Sequence, residues 1–304
     1  MSTTTTTAGP VIGFLGLGRM GAGMAARLLG QPALCGRLLV HDIAPDAVAA
    51  LVVQGAEPAA SAEALGAQCD VVFTSLPTPA IVREAVVAIA AGGSPKIICD
   101  LSTSGPALAK ELDALLAPRG IASFDAPVSG GISRAHDGTL SLMIGGPEVP
   151  YPQLEVLLRR FGTPIYMGVT PGAGQTMKLI NNLLGAVAIG VTAEGMAFGI
   201  KAGLDPARMI EVLNQSTGIN SATRDKWPKS VLPRTFDFGF AAALSLKDTN
   251  LLMEEAATAE VPLPLGEIVR DYLQRTLQRE GPEADFTAIA KVVEEAAGLD
   301  PDRA

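Results

Sequence analysis

The sequence predicts an α/β, doubly wound parallel-sheet domain followed by an all-α domain, the two joined by a long interdomain helix. Three observations carry this. Short apolar runs recur at 11–15, 38–40, 71–73, 97–99, 122–124 and 140–144, most of them separated by alanine-rich segments that suit helices. A glycine turn, GFLGLGRMG at 13–21, follows the start of the first run. After Tyr166 the strand signal stops, and no further proline interrupts the largely apolar stretch from Pro171 to Ala202, which reads as one helix closed by Gly203 and Pro206.

Val11, Ile12, Phe14 and Leu15 read as the first strand, and a helix opens near Arg19. Gly16 permits the tight turn, Gly18 leaves room for backbone N–H groups to approach a pyrophosphate, and Gly21 lets the helix pack against the strand. With Arg19 and Met20 these residues form the expected dinucleotide site. Such a fingerprint is weak by itself in a chain with 33 glycines, and its strand–turn–helix context strengthens it. The second strand ends in Asp42, 21 residues after Gly21, where a carboxylate takes the ribose hydroxyls. No Lys or Arg lies between Asp42 and Leu51, so a 2′-phosphate would meet an acid and find no cation. NAD is therefore expected, with NADP disfavoured.

Farther along, the helix after Pro171 would be about 45 Å long, enough to join two domains. Helices are expected at 206–216, 241–259, 264–280 and 286–297, separated by turns bearing proline and glycine. The expected limits are a disordered tail at 1–9, a dinucleotide-binding domain at 10–171 and an all-α substrate and dimerisation domain at 172–304. The tail lacks the basic region and apolar stretch of a signal peptide. The apolar stretch 183–200 is broken by Gly185, Gly190, Glu194 and Gly195, so a buried helix is expected there and a membrane span is not. The helical half carries more apolar surface than its few polar segments can cover, which predicts a homodimer or homotetramer.

Composition narrows the function classes. With 48% apolar and 18% charged residues over 304 positions, the chain can bury the cores of two domains. Its formal charge of −8, with no run of Lys or Arg, argues against nucleic acid as a partner. Cys35, Cys69 and Cys99 are widely spaced, which suits buried reduced thiols and a cytoplasmic location.

The chemistry is bounded by exclusion first. His41 and His136, the two histidines, have no partners at metal-ligand spacing, so no metal is expected. Tyr151, Tyr166 and Tyr272 are followed four residues later by Glu155, Thr170 and Thr276, so a tyrosine–lysine pair of the short-chain dehydrogenase kind is absent. Lys178 remains as a base. Asn182, four residues on, shares its helical face, and the apolar helix beyond implies a buried setting in which a lysine gives up its proton more readily. In DAPVSGGISRAHDGTL, 125–140, Ser129, Gly130 and Gly131 offer a hydroxyl and unhindered N–H groups suited to a small carboxylate. This segment reads as a loop at the carboxyl end of a strand, the binding edge of a doubly wound sheet.

Taken together, GFLGLGRMG, SLPTPAIVREAV, DLSTSGP, DAPVSGG with GTLSLMIGG, GAGQTMKLINN, TAEGMAFGIKAGLD and LKD at 246–248 resemble the β-hydroxyacid dehydrogenase family, in its 3-hydroxyisobutyrate dehydrogenase-like branch. The resemblance runs from about residue 11 to 297. It implies a Rossmann-type N-terminal domain, an all-α C-terminal domain and an active site in the cleft between them. It also implies that Leu76 and Pro77 flank the adenosine part of the cofactor, that Thr103 lies near the nicotinamide ribose, and that Lys247 reaches the cofactor from the helical domain. By the same resemblance Ser129, Gly130, Gly131 and Asn182 hold the substrate and Lys178 is the acid/base group.

Departures from the family pattern bound the activity. The 6-phosphogluconate dehydrogenase relatives carry an acid seven residues after the lysine, where this chain has Gly185, which disfavours sugar-phosphate oxidation. Gly239 stands where the family often has proline. Arg134 is a candidate specificity contact. The expected activity is hydride transfer between NAD and a small β-hydroxy acid. The alternatives are an aldehyde or imine reductase of the same fold, or a noncatalytic dinucleotide-binding scaffold.

Overall fold

The computed structural model describes residues 9–302. Residues 1–8 of the expected tail lie outside them. Gly9 is tied down, its N–H donating to Pro32 O at 3.2 Å. The chain divides after Lys178 into two compact units.

In the first unit β1 (Val11–Leu15) enters the glycine turn and α1 (Gly21–Ala26) leaves it. The alternation continues through β2 (Arg37–His41), α2 (Pro45–Val52), β3 (Glu57–Pro58), α3 (Ala62–Gly66) and β4 (Val71–Thr74). Next come α4 (Pro79–Gly92), β5 (Ile97–Asp100), α5 (Pro106–Leu116) and β6 (Ala122–Asp125). Pro45, Pro79 and Pro106 each open a helix, where the missing N–H leaves no bond unmade. Ser61 and Thr78 cap α3 and α4 with side chains that accept from Ala64 and Ile81 N–H.

The unit is completed by β7 (Val128–Ser129), α6 (Gly131–Asp137), β8 (Leu140–Gly145), α7 (Tyr151–Leu158) and β9 (Gly162–Gly168). The strand order is β3-β2-β1-β4-β5-β6-β8-β7, with β9 on β8. From β3 to β6 every pairing is parallel, and this order belongs to a doubly wound sheet. At the far end β8 runs antiparallel to β6 and β7, so the sheet is mixed there. The chain winds outward in opposite directions from β1 and β4, which opens a crevice at their carboxyl ends.

Side-chain alternation distributes the core over both faces. Ile12, Phe14, Leu38, Val40, Val71 and Phe73 pack into one cluster, while Leu15, Leu39, Val72 and Ile98 join α4 and α5 in the other. Buried on both sides, these strands read as apolar runs, as parallel strands do.

Helix α8 (Ala173–Lys201) begins in the first unit and runs on into the second. The second unit adds α9 (Pro206–Asn214), a π-helical segment Ala222–Val231, α10 (Ala242–Thr258), α11 (Pro264–Glu280) and α12 (Ile289–Ala296). Its core gathers Ile189, Ala193, Met196, Trp227, Leu273 and Ile289. Among the described residues α8 is the one helix long and apolar enough to cross a membrane, and 44% of its most apolar window is buried in the fold. Leu184 and Phe198 are 63% and 78% exposed. The helix expected to be buried is therefore buried on one face only.

Candidate active site

The glycine turn has the geometry its sequence calls for. Gly16 sits at φ +93, and a Cβ there would lie 2.3 Å from Ser75 O; its N–H donates to His41 O at 3.0 Å. A Cβ on Gly21 would lie 2.0 Å from Gly16 O, so α1 can start this close to the turn only as glycine. Gly18 differs, because a Cβ there meets no protein atom within 4 Å. The protein does not need that glycine for its own packing, whereas a pyrophosphate approaching the backbone does. These residues fit a dinucleotide. Arg19 is exposed and Met20 half-buried beside them.

Around this turn stand the ends of the neighbouring strands. Asp42, one residue past β2, accepts from Leu17 N at 2.6 Å and from Ala44 N at 2.8 Å. Leu76 and Pro77 follow β4, and Leu76 N donates to Ser102 Oγ at 2.8 Å. Thr103 is half-buried in the segment after β5. Asp100, at the end of β5, accepts from Thr74 Oγ1 at 2.8 Å and Ser104 Oγ at 2.7 Å, which fixes that segment from below.

The 125–140 segment was expected to be a loop and is ordered secondary structure. Ser129 closes β7 opposite Ser141. Gly130 at φ +139 and Gly131 at φ +79 then turn the chain into α6, a path that non-glycine residues rarely take. A Cβ on Gly130 would lie 2.7 Å from Arg134 Cδ, whereas beside Gly131 the space is open. Arg134, the candidate specificity contact, thus folds back over Gly130. His136 is exposed on α6, and His41 Nδ1 lies 2.9 Å from Ala59 O at the end of β2.

Lys178 lies in the second turn of α8 and is 8% exposed. In the second unit, Asn182 Nδ2 donates to Asp248 Oδ2 at 2.6 Å, and Lys247 Nζ is 3.1 Å from Asp248 Oδ1. Asp248 therefore joins two residues singled out from the sequence, although the sequence reading gave it no role. Its signal was present in the LKD motif. Gly239 sits at φ +99 and donates to Asp285 Oδ2 at 2.8 Å, a backbone conformation that proline cannot adopt.

Two further buried groups were missed. Asp125 accepts from Gly172 N and Gln175 N, each at 2.8 Å, and so caps the start of α8. Burial pushes its carboxyl up to about 6, and the nearby Asp100 adds to the rise, against the pull of those two N–H donors. Gln175, fully buried, connects α8 to the segment after β5.

Comparison with known proteins places this arrangement. Residues 11–169 match the NAD binding domain of 6-phosphogluconate dehydrogenase, and residues 172–293 match the family described as NAD-binding of NADP-dependent 3-hydroxyisobutyrate dehydrogenase. The 3-hydroxyisobutyrate dehydrogenase of Pseudomonas aeruginosa is 36% identical over 296 residues, 92% of this chain and 97% of the relative. The 2-(hydroxymethyl)glutarate dehydrogenase of Eubacterium barkeri is 33% identical over 95% of this chain and 96% of its own length. Among solved structures, Mycobacterium tuberculosis 3-hydroxyisobutyrate dehydrogenase with L-serine superposes with a TM-score of 0.85 at 32% identity, covering 94% of this chain and 99% of that one.

Two expectations are overturned. The preference for NAD over NADP does not stand, because the family matched at 172–293 is NADP-dependent. In addition, Psf3, 27% identical with a TM-score of 0.79 over 93% of this chain and 100% of its own, was solved with NADP+. At Asp42 each carboxylate oxygen accepts an N–H, from Leu17 and from Ala44, and these donors offset part of the negative charge a 2′-phosphate would meet. The cytoplasmic assignment falls as well, since relatives such as the mitochondrial 3-hydroxyisobutyrate dehydrogenase of Pongo abelii, 32% identical over 93% of this chain and 87% of its own length, work elsewhere. Cys35, Cys69 and Cys99 are buried free thiols, which does not name a compartment. With both halves matched and the dinucleotide turn formed, the chain belongs to the β-hydroxyacid dehydrogenase family, in its 3-hydroxyisobutyrate dehydrogenase-like branch, and is an NAD(P)-dependent oxidoreductase acting on the CH–OH group of a small organic substrate.

Proposed function

We propose that the substrate is a small β-hydroxy acid of the 3-hydroxyisobutyrate type and that Lys178 is its acid/base group. The observation that carries this is a buried lysine in the second turn of α8 with Asn182 one turn further on, the amide of Asn182 being held by Asp248. Lys178 Nζ accepts the hydroxyl proton during oxidation and returns it during reduction. The Ser129 hydroxyl and the Gly130 and Gly131 N–H groups receive the carboxylate, with Asn182 orienting the substrate.

Gly16, Gly18, Arg19, Met20, Gly21, Asp42, Leu76, Pro77, Thr103 and Lys247 hold the dinucleotide. When bound, its nicotinamide supplies the hydride acceptor or donor. Residues 10–171 serve as the dinucleotide-binding domain and 172–304 as the substrate and dimerisation domain. A homodimer or homotetramer built through the helical half covers the exposed apolar side chains of α8.

The test is a panel of short 3-hydroxy acids with NAD and with NADP, followed at the reduced-nicotinamide absorbance band. Turnover confined to acids with a β-hydroxyl is the expected result. Activity on 2-hydroxy acids or simple alcohols alone overturns the proposal.

A further inference from the structure

The buried Gln175 carboxamide makes three hydrogen bonds, all to the segment after β5 and none to its own helix. Its Oε1 accepts from Ser104 N at 3.0 Å and from Gly105 N at 3.2 Å, while its Nε2 donates to Ser102 O at 2.9 Å. The start of α8 does not depend on these bonds for docking. Asp125 already caps it, and Gly174 packs so tightly that a Cβ there would lie 2.2 Å from Met143 O. What the carboxamide adds is a tie between α8 and the 102–105 segment.

That segment is coupled onward, because Ser102 Oγ accepts from Leu76 N at 2.8 Å. A continuous path thus runs from Leu76, through Ser102, to Gln175 and so to Lys178 three residues later. Its two ends carry different parts of the reaction assigned above: Leu76, Pro77 and Thr103 on the dinucleotide, and Lys178 on the substrate. We propose that Gln175 is a positioning residue that sets the spacing between the cofactor-binding segments and Lys178. The inference rests on the reading of Lys178 as the acid/base group.

Only a group that accepts and donates at once makes this tie. Glutamate in its neutral form has both capacities, whereas ionised glutamate has only acceptors and faces Ser102 O without a proton to give. Gln175→Glu should therefore behave as wild type when protonated and fail when ionised. The titratable groups about the site are Cys99, Asp100 and Asp125, together with Lys178 one turn on. Burial and the two acids raise the pKa of a carboxyl introduced there, against the pull of the Ser104 and Gly105 N–H donors and of Lys178.

The test uses the full-length enzyme, comparing Gln175→Glu with wild type from about pH 5 to about pH 8. The expected result is a ratio of kcat, variant over wild type, that falls by ~10- to 10²-fold as pH rises, as a misplacement of ~1 Å would cause. The Kd of the reduced dinucleotide should stay within ~3-fold and Tm should remain above the assay temperature throughout. Amide exchange at Ser104 and Gly105 gives a readout independent of turnover, and it should speed up in Gln175→Met. A kcat ratio flat with pH overturns the proposal, and so does a loss that follows unfolding. Lys178→Ala run alongside separates the failures: if it is inactive while the Gln175 ratio is flat, only the positioning role fails. If Lys178→Ala turns over normally, the reading of the base fails and takes the positioning role with it.

Discussion

Asn182 donates to Asp248 through a 2.6 Å hydrogen bond, and the same carboxylate meets Lys247 Nζ at 3.1 Å on its other oxygen. Asp248 is only 4% exposed, so it acts as a fixed buried acceptor that orients an amide and anchors a cation. Asp248→Ala should lower kcat/KM by ~10-fold or more, since Asn182 loses its orientation and Lys247 its partner. Asp248→Asn keeps an acceptor for Asn182 and should lose less. Steady-state kinetics on the two variants, with folding checked by circular dichroism, decide the matter; equal values for wild type and Asp248→Ala contradict the role.

The two glycines of the turn should separate stability from binding. Gly16→Ala forces a side chain into φ +93 with its Cβ 2.3 Å from Ser75 O, a strain of about 1–3 kcal/mol or more that should appear as a lower Tm. Gly18→Ala meets no protein atom within 4 Å, so Tm should hold while dinucleotide affinity falls. Calorimetry beside a fluorescence titration checks both, and the reverse pattern would refute the assignment of Gly18 to the pyrophosphate.

Asp125 should leave a signature in the pH dependence of stability. Burial lifts its carboxyl to about 6 from an ordinary value of 3.8, so the folded chain holds this proton more tightly than the unfolded chain. The stabilisation is fully present below about pH 4 and is lost as pH rises through about 6. Asp125→Asn removes that slope. Between about pH 4 and pH 7 the wild type should lose about 2 kcal/mol relative to the variant in denaturant unfolding. A difference that stays constant across this range contradicts the assignment.

Much of the first unit was legible because its central strands are buried on both faces and read as uninterrupted apolar runs. The antiparallel direction of β8 against β6 and β7 was not, since an apolar run reads the same whichever way it pairs with its neighbours. β9 escaped because its side chains alternate between half-buried and exposed and it contains Pro164. The segment Ala222–Val231 carries Pro228 in its interior, which reads locally as a break in a helix. At the site, the glycines announced themselves through backbone demands. Asp125 and Gln175 did not, because their importance lies in the backbone groups that the fold brings to them.

Self-association through α8 is expected from Leu184, Val191 and Phe198, exposed apolar residues spaced seven apart on one helix. Leu184→Asp combined with Phe198→Asp should shift the mass from an oligomer to a monomer by light scattering. A wild type that is monomeric at micromolar concentration contradicts the proposal.

Lys178 is proposed to move the hydroxyl proton. The most direct measurement is turnover of Lys178→Ala, together with its affinity for the reduced dinucleotide, in correctly folded protein. Turnover should drop by at least ~10²-fold with cofactor affinity nearly unchanged, and Lys178→Arg should fail almost as badly, since a guanidinium keeps its proton. Near-normal turnover in Lys178→Ala would contradict it.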